Sequence, residues 1–216
     1  MTSMHMNYRI VCMNANAKRL SVADYILEKA KANNGIITSA MLTTEGISRG
    51  HLKPLVESGK LVQATRGVYT IPEVFDDDYF NLQTRYRKGI FSGATALYLF
   101  GLTDRTPERP EMTFPRSYNI SVLENQIVIC RRTKLEWYEL GVTEARTDLG
   151  NAVRVYNIER SLCDLVRRGS KADVHIVTDA FKKYARKKDK NLHRLSEYAK
   201  ALRVEDKVRS YIEVLI

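Results

Sequence analysis

The sequence predicts an α+β chain in two parts: three helices and a hairpin at the amino end, then a small sheet followed by several helices. Three observations predict it. Apolar residues keep a helical period from Ala17 to Ala32 and again beyond Asn157. Two alternating segments, 60–64 and 68–72, flank a glycine-bearing turn at Thr65-Arg66-Gly67. Short apolar extended segments fill the middle of the chain between proline-punctuated loops. With 216 residues, 44% hydrophobic and 28% charged, the chain is long enough for two modest domains and has ordinary globular composition.

Residues 1–12, crowded with methionines and lacking a signal-peptide layout, are read as a disordered or cloning-derived start. The first helix, 17–32, stops at Asn33-Asn34-Gly35. Ile36-Ile37 is an extended step, after which Thr38 or Ser39 caps a second, short helix through Thr44. Glu45-Gly46-Ile47 is the turn, with Ile47 plugging the core. Ser48 caps a third helix to about Ser58, with Leu52, Leu55 and Val56 inward; Pro54 should kink this helix, or the helix starts near Lys53. The hairpin follows.

This order is that of a winged helix-turn-helix, placed at residues 13–74. In that fold the third helix enters the major groove of double-stranded DNA with its first residues at base edges. Those residues here are Arg49, Gly50, His51 and Lys53, with Arg66 at the wing tip; Ser39 and Ser48, at helix amino ends, join them as DNA-binding candidates. A winged helix also serves as a protein-interaction module, and a lone exposed histidine such as His51 is weak support.

Residues 75–90 read as a linker helix, with the Asp76-Asp77-Asp78 triplet at its amino end. The carboxyl-terminal domain is placed at 91–216. Ser92 caps a buried helix, 93–100; Glu111–Pro115, Gln126–Arg132, Trp137–Leu140, Val142–Arg146 and Ala152–Tyr156 are extended; 158–167, 171–187, 192–202 and 205–216 are helical.

Charge is divided unevenly. The net charge of +10 resolves into +4 over residues 1–74, −1 over 75–165 and +7 over 166–216. Two basic ends suit a polyanion partner, and equally suit solubility. On a helix from about Asp173, with Val174, Ile176, Val177, Ala180, Phe181 and Tyr184 inward, Lys182, Lys183, Arg186, Lys187 and Lys188 form a possible second basic surface, facing nucleic acid or a toxin. The plainer reading is a solvated helix end favoured by its dipole.

Catalytic and metal signals are sparse, so no catalytic residue, metal or cofactor is expected. Cys12, Cys130 and Cys163 lie far apart and fit a reduced, cytoplasmic setting. His5, His51, His175 and His193 make no ligand pair. Gly169-Ser170 lacks the paired strand acids of a nucleotidyltransferase, and Glu205-Asp206-Lys207 lies in a helix rather than on a nuclease strand. Glu159 and Asp164 read as an Arg160 partner and a cap. The longest nearly apolar stretch, 93–102, is too short to span a membrane, which takes about 20 residues.

Four segments make the chain recognisable: Gly67-Val68-Tyr69, the run from Phe91 to Glu108 with its Gly-Leu-Thr-Asp-Arg-Thr-Pro core, Met112 to Asn119, and Tyr156-Asn-Ile-Glu-Arg-Ser-Leu-Cys-Asp-Leu165. In order and spacing the chain resembles the AbiEi-type antitoxins of bacterial abortive-infection, type IV toxin–antitoxin systems, over residues from about 17 to 200. The resemblance implies a winged helix that represses its own operon at inverted repeats, and a carboxyl-terminal antitoxin domain. It implies a nucleotidyltransferase-like toxin as functional partner, without need of a stable complex. A regulator without antitoxin activity and a winged-helix-targeted nuclease are the competing classes.

Overall fold

The computed structural model describes residues 20–120, 128–168, 170 and 172–215, with side chains to 213. The expectations for residues 1–12, for Cys12, for residues 17–19 of the first helix and for Gly169 and Lys171 lie outside the described residues. The chain divides into two compact units. One comprises residues up to Gln63 with Tyr69–Val74, the other Ala64–Val68 with Phe75 onward. The protein is α+β, with helices and a winged hairpin first and the larger sheet second.

In the first unit, α1 (Val22–Ala32) opens with a capping box: Ser21 Oγ accepts from the Asp24 amide and the Asp24 carboxylate accepts from the Ser21 amide. Strand β1 (Ile36–Thr38), α2 (Ser39–Thr44), a 3-10 turn (Arg49–His51) and α3 (Leu52–Glu57) follow. Strands β2 (Val62–Thr65) and β3 (Val68–Thr70) form the hairpin, whose residues Ala64–Val68 belong to the other unit, and the sheet order is β1-β3-β2. Ile26, Ala30, Ile37, Leu42, Ile47, Leu52, Leu55 and Leu61 make the core. Each large aliphatic among them contributes roughly 1.5–3 kcal/mol on burial.

The second unit holds α4 (Asp78–Arg85), β4 (Ile90–Phe91), α5 (Gly93–Leu99), β5 (Glu111–Pro115), β6 (Ile129–Thr133), α6 (Leu135–Glu139), β7 (Val142–Arg146), β8 (Ala152–Tyr156), α7 (Ile158–Val166), α8 (Val174–Arg186), α9 (Leu192–Leu202) and α10 (Glu205–Leu215). Among the described residues its strands form one mixed sheet in the order β6-β5-β4-β8-β7. The β5–β6 and β4–β8 pairs are parallel; β4–β5 and β7–β8 are antiparallel. Phe91, Met112, Phe114, Val153 and Val155 cluster with Tyr79, Phe80 and Leu82 of α4. A second cluster, including Leu97, Leu162, Val177, Phe181, Leu195 and Val208, packs α5 and the last four helices together.

Residues 75–90 do more than connect. Asp77 is buried, caps α4 through the Phe80 amide at 3.0 Å, and accepts from Thr147 Oγ1 at 2.6 Å and Asn151 Nδ2 at 2.7 Å. One carboxylate thus fastens α4 to the β7–β8 turn, and α4 belongs to the fold of the second unit.

Some elements differ from their sequence expectation. Residues 137–140, expected to be extended, lie at α6. Their alternation suits a strand, yet one helical turn buries Tyr138, whose hydroxyl donates to the Lys88 carbonyl at 2.8 Å. Ser92 stands at the amino end of α5 without capping it: its Oγ accepts from Thr113 Oγ1 at 2.9 Å, and the Glu111 carboxylate instead takes the Ala94 amide at 3.3 Å. Val174, assigned to the inner stripe of α8, is 68% exposed because it is the first residue of the helix, before the buried stripe begins at Val177.

The strand-to-helix corner 156–165 is the most heavily tied segment. Asn157, not Asp164, caps α7; Asp164, not Glu159, is the partner of Arg160, and Glu159 accepts from the Tyr184 hydroxyl at 3.0 Å. Arg160 is fully buried, with 0% of its surface exposed. Its guanidinium pairs with Asp164 at 3.0 Å, donates to the carbonyls of Leu140 at 3.1 Å and of Trp137, and lies 4.3 Å from the Tyr156 ring centroid. Gly141, at φ +78°, leaves room for this, since a Cβ there would sit 2.8 Å from Arg160 Cβ. Removing one member of a buried pair strands the other groups. Arg160→Ala should therefore cost about 3 kcal/mol in urea unfolding, and a loss below about 1 kcal/mol would contradict this role.

Candidate nucleic-acid interface

The turn from α2 into α3, residues 45–53, is the candidate recognition turn, built on a left-handed residue and an apolar plug. Gly46, at φ +72°, reverses the chain after α2. Ile47 is buried directly behind it, and Leu52 and Leu55 bury the inner side of α3. Ser48, Arg49, Gly50, His51 and Lys53 are consequently exposed together. The single helix expected from Ser48 to Ser58 is divided: a 3-10 turn, 49–51, precedes α3, 52–57. Pro54 is then the third residue of α3, inside the first turn, where its missing N–H has no helical acceptor to lose.

Each candidate has a definite place. Thr38, not Ser39, caps α2, accepting from the Met41 amide at 3.2 Å; Ser39 is the first helical residue and half-buried. Ser48 Oγ accepts from the Gly50 amide at 3.2 Å. Arg49 Nε donates to Thr43 Oγ1 at 2.9 Å across the turn. Lys53 lies 3.7 Å from Glu57, an exposed pair of little energetic weight. His51 is exposed, as is Arg66 in the β2–β3 turn. The turn brings Ser48, Arg49, His51 and Lys53 to one surface.

The local charge is modest. Residues 20–74 hold six Lys or Arg against five Asp or Glu, because Arg9, Lys18 and Arg19, which raise the count in the sequence, precede the described residues. Placement therefore matters more than sum. Glu45, at the turn, is engaged by Lys29 and by the Tyr25 hydroxyl at 3.0 Å, which hold its carboxyl below the usual range.

The α8 end is less free than its sequence suggests. Lys183 pairs with Asp104 at 2.8 Å and Lys187 with Asp189 at 3.3 Å. Lys182, Arg186 and Lys188 remain exposed. Lys207, of the Glu-Asp-Lys triplet, donates to the Val166 carbonyl at 3.0 Å. Among the described residues no three His, Cys, Asp or Glu side chains are grouped to hold a metal, and no helix is long and apolar enough to cross a membrane. Burial pushes the Cys163 thiol up to about 12, which marks it as core.

Residues 24–72 match the family model described as transcriptional regulator, AbiEi antitoxin. The match covers α1 through the hairpin, which includes every exposed residue of the recognition turn. A crystal structure of the RV2827C protein from Mycobacterium tuberculosis shares the fold, with a TM-score of 0.52 at 17% identity, covering 85% of this chain and 73% of that one. No curated protein matches the chain.

Thr43 is not among the surface residues that the sequence singles out. A threonine on a short helix carries no sequence signal, and its partner six residues away meets it only because the turn folds back. The Glu45 contacts bind α1 to the end of α2 and predict a pH dependence. Because the folded carboxyl titrates below its ordinary 4.5, its stabilisation is complete above that value and is lost as pH falls through the folded one. Glu45→Gln should lower stability by about 0.5 kcal/mol at pH 7 and leave it unchanged near pH 3, read by thermal unfolding.

Proposed function

We propose that the chain is a DNA-binding antitoxin: its AbiEi domain represses its own operon at inverted repeats, and its second unit neutralises a nucleotidyltransferase-like toxin. The observation that carries the DNA part is the coincidence of the regulator-family match, 24–72, with an exposed turn bearing Ser48, Arg49, His51 and Lys53. In this reading the 3-10 turn and the start of α3 enter the major groove. Arg49 reads a base, Lys53 and His51 meet phosphate or base, the Ser39 and Ser48 ends approach the backbone, and Arg66 reaches the backbone or minor groove beside it.

The chain acts here as a regulator and not as an enzyme, without metal or cofactor, in the cytoplasm. Antitoxin action rests on the family resemblance, and no stable complex with the toxin is required. For the second unit the exposed trio Lys182, Arg186 and Lys188 is the surface to test, since Lys183 and Lys187 are half-buried beside Asp104 and Asp189.

Gel shifts test the DNA reading. Arg49→Ala should cost about 1–3 kcal/mol on the operator and little on random duplex. Lys53→Ala and Arg66→Ala should weaken both duplexes and each lower the salt slope by about one. Unchanged operator binding by Arg49→Ala and Lys53→Ala would refute the placement of the turn. For the second unit, co-expression with the transferase-like toxin should show that Lys182→Gln/Arg186→Gln/Lys188→Gln loses rescue of growth while still binding operator. Full rescue would discard that surface and leave the plain helix end.

A further inference from the structure

One arginine of the recognition turn is held more tightly than its exposure suggests. Arg49 Nε–H donates to Thr43 Oγ1 at 2.9 Å, and the Thr43 hydroxyl donates in turn to the Ser39 carbonyl at 2.8 Å. That hydroxyl is used in both senses, accepting once and donating once, so its rotor is fixed. The relay runs from the first residue of α2 to the first residue of the 3-10 turn, spanning the reversal at Gly46. Ser39 thus serves through its carbonyl.

The chemistry of a guanidinium gives this relay a consequence. Its five N–H donors lie in one plane, and with Nε–H committed the four on the two terminal nitrogens remain for a ligand. Guanine offers two acceptors, O6 and N7, on its major-groove edge. An arginine meets them either side-on, through Nε and one terminal nitrogen, or end-on, through both terminal nitrogens. Thr43 closes the first mode. We infer that Thr43 is a positioning residue that locks Arg49 for end-on, bidentate readout of one guanine, so that sequence preference at that base pair depends on the threonine hydroxyl. This rests on the DNA-binding reading above.

The test uses the full chain and a duplex selected by the wild-type protein from a randomised pool, alongside an unselected mixed-sequence duplex. Replacing each guanine of the selected duplex in turn by 7-deazaguanine removes the N7 acceptor. At one position this should weaken wild-type binding about tenfold. Thr43→Val keeps the side-chain shape without the hydroxyl. It should weaken binding to the selected duplex about tenfold, leave the mixed duplex within about twofold, and lose most of the sensitivity to the deaza substitution. Thr43→Ser should restore both affinity and sensitivity. Thr43→Val with undiminished preference would overturn the positioning role and leave the DNA-binding reading standing. Equal loss on both duplexes, or a matching fall in melting temperature without rescue by serine, would show a structural role and overturn it also. Preference without sensitivity to any N7 would overturn guanine readout. Failure of the wild-type protein to retain any duplex would overturn this inference together with the reading beneath it.

Discussion

The second unit depends on a guanidinium taken wholly out of water. Arg160 is tolerable there only because its charge and donors are met: Asp164 supplies the counter-charge, the carbonyls of Trp137 and Leu140 accept, and the Tyr156 ring lies against its plane. Those partners come from α6, its exit, β8 and α7, so the arginine specifies how a strand, a turn and two helices meet. Neighbours in the same segment extend the ties. Tyr156 donates to the Tyr138 carbonyl at 2.8 Å, Glu159 takes the Tyr184 hydroxyl, and Ser161 donates back to the Tyr156 carbonyl at 3.1 Å. The residues from 156 to 165 are those that hold this corner together.

The first unit is organised by the opposite economy. Its core is small and chiefly aliphatic, with Thr38 and Thr70 buried beside it, and its capping groups stand at the helix ends. Burying Ile47, Leu52 and Leu55 leaves the intervening positions no choice but to face outward, so the exposed turn follows from the packing rather than from the charges it carries. The near balance of acidic and basic residues between 20 and 74 means that any preference for DNA in this region comes from where Arg49, Lys53 and Arg66 stand, and from Glu45 being neutralised by Lys29.

Much of this was legible beforehand, for physical reasons. Long helices announce themselves through periodicity and caps, as α7 to α10 and the Gly46 turn did. The winged order was readable from five elements in succession. The central strand β4 was not, because two residues, Ile90 and Phe91, carry no period, though they sit between β5 and β8. Residues 137–140 misled because a single helical turn and a short strand can share one alternating pattern. Pro54 looked like a defect until the helix start moved to Leu52. The Lys183 contact with Asp104 was not legible, since a carboxylate distant in sequence cannot be paired with a lysine from order alone. Exposed positions of the recognition turn were legible; the hydroxyl that orients Arg49 was not, because it is a tertiary contact.

Hydrogen exchange of the full chain with and without its selected duplex tests most directly whether DNA is met through the recognition turn and wing. Exchange should slow at amides of residues 39–57 and 62–70, with the helices of the second unit unchanged. Protection confined to the 182–188 end of α8, or absent from the recognition turn while the duplex is bound, would contradict it.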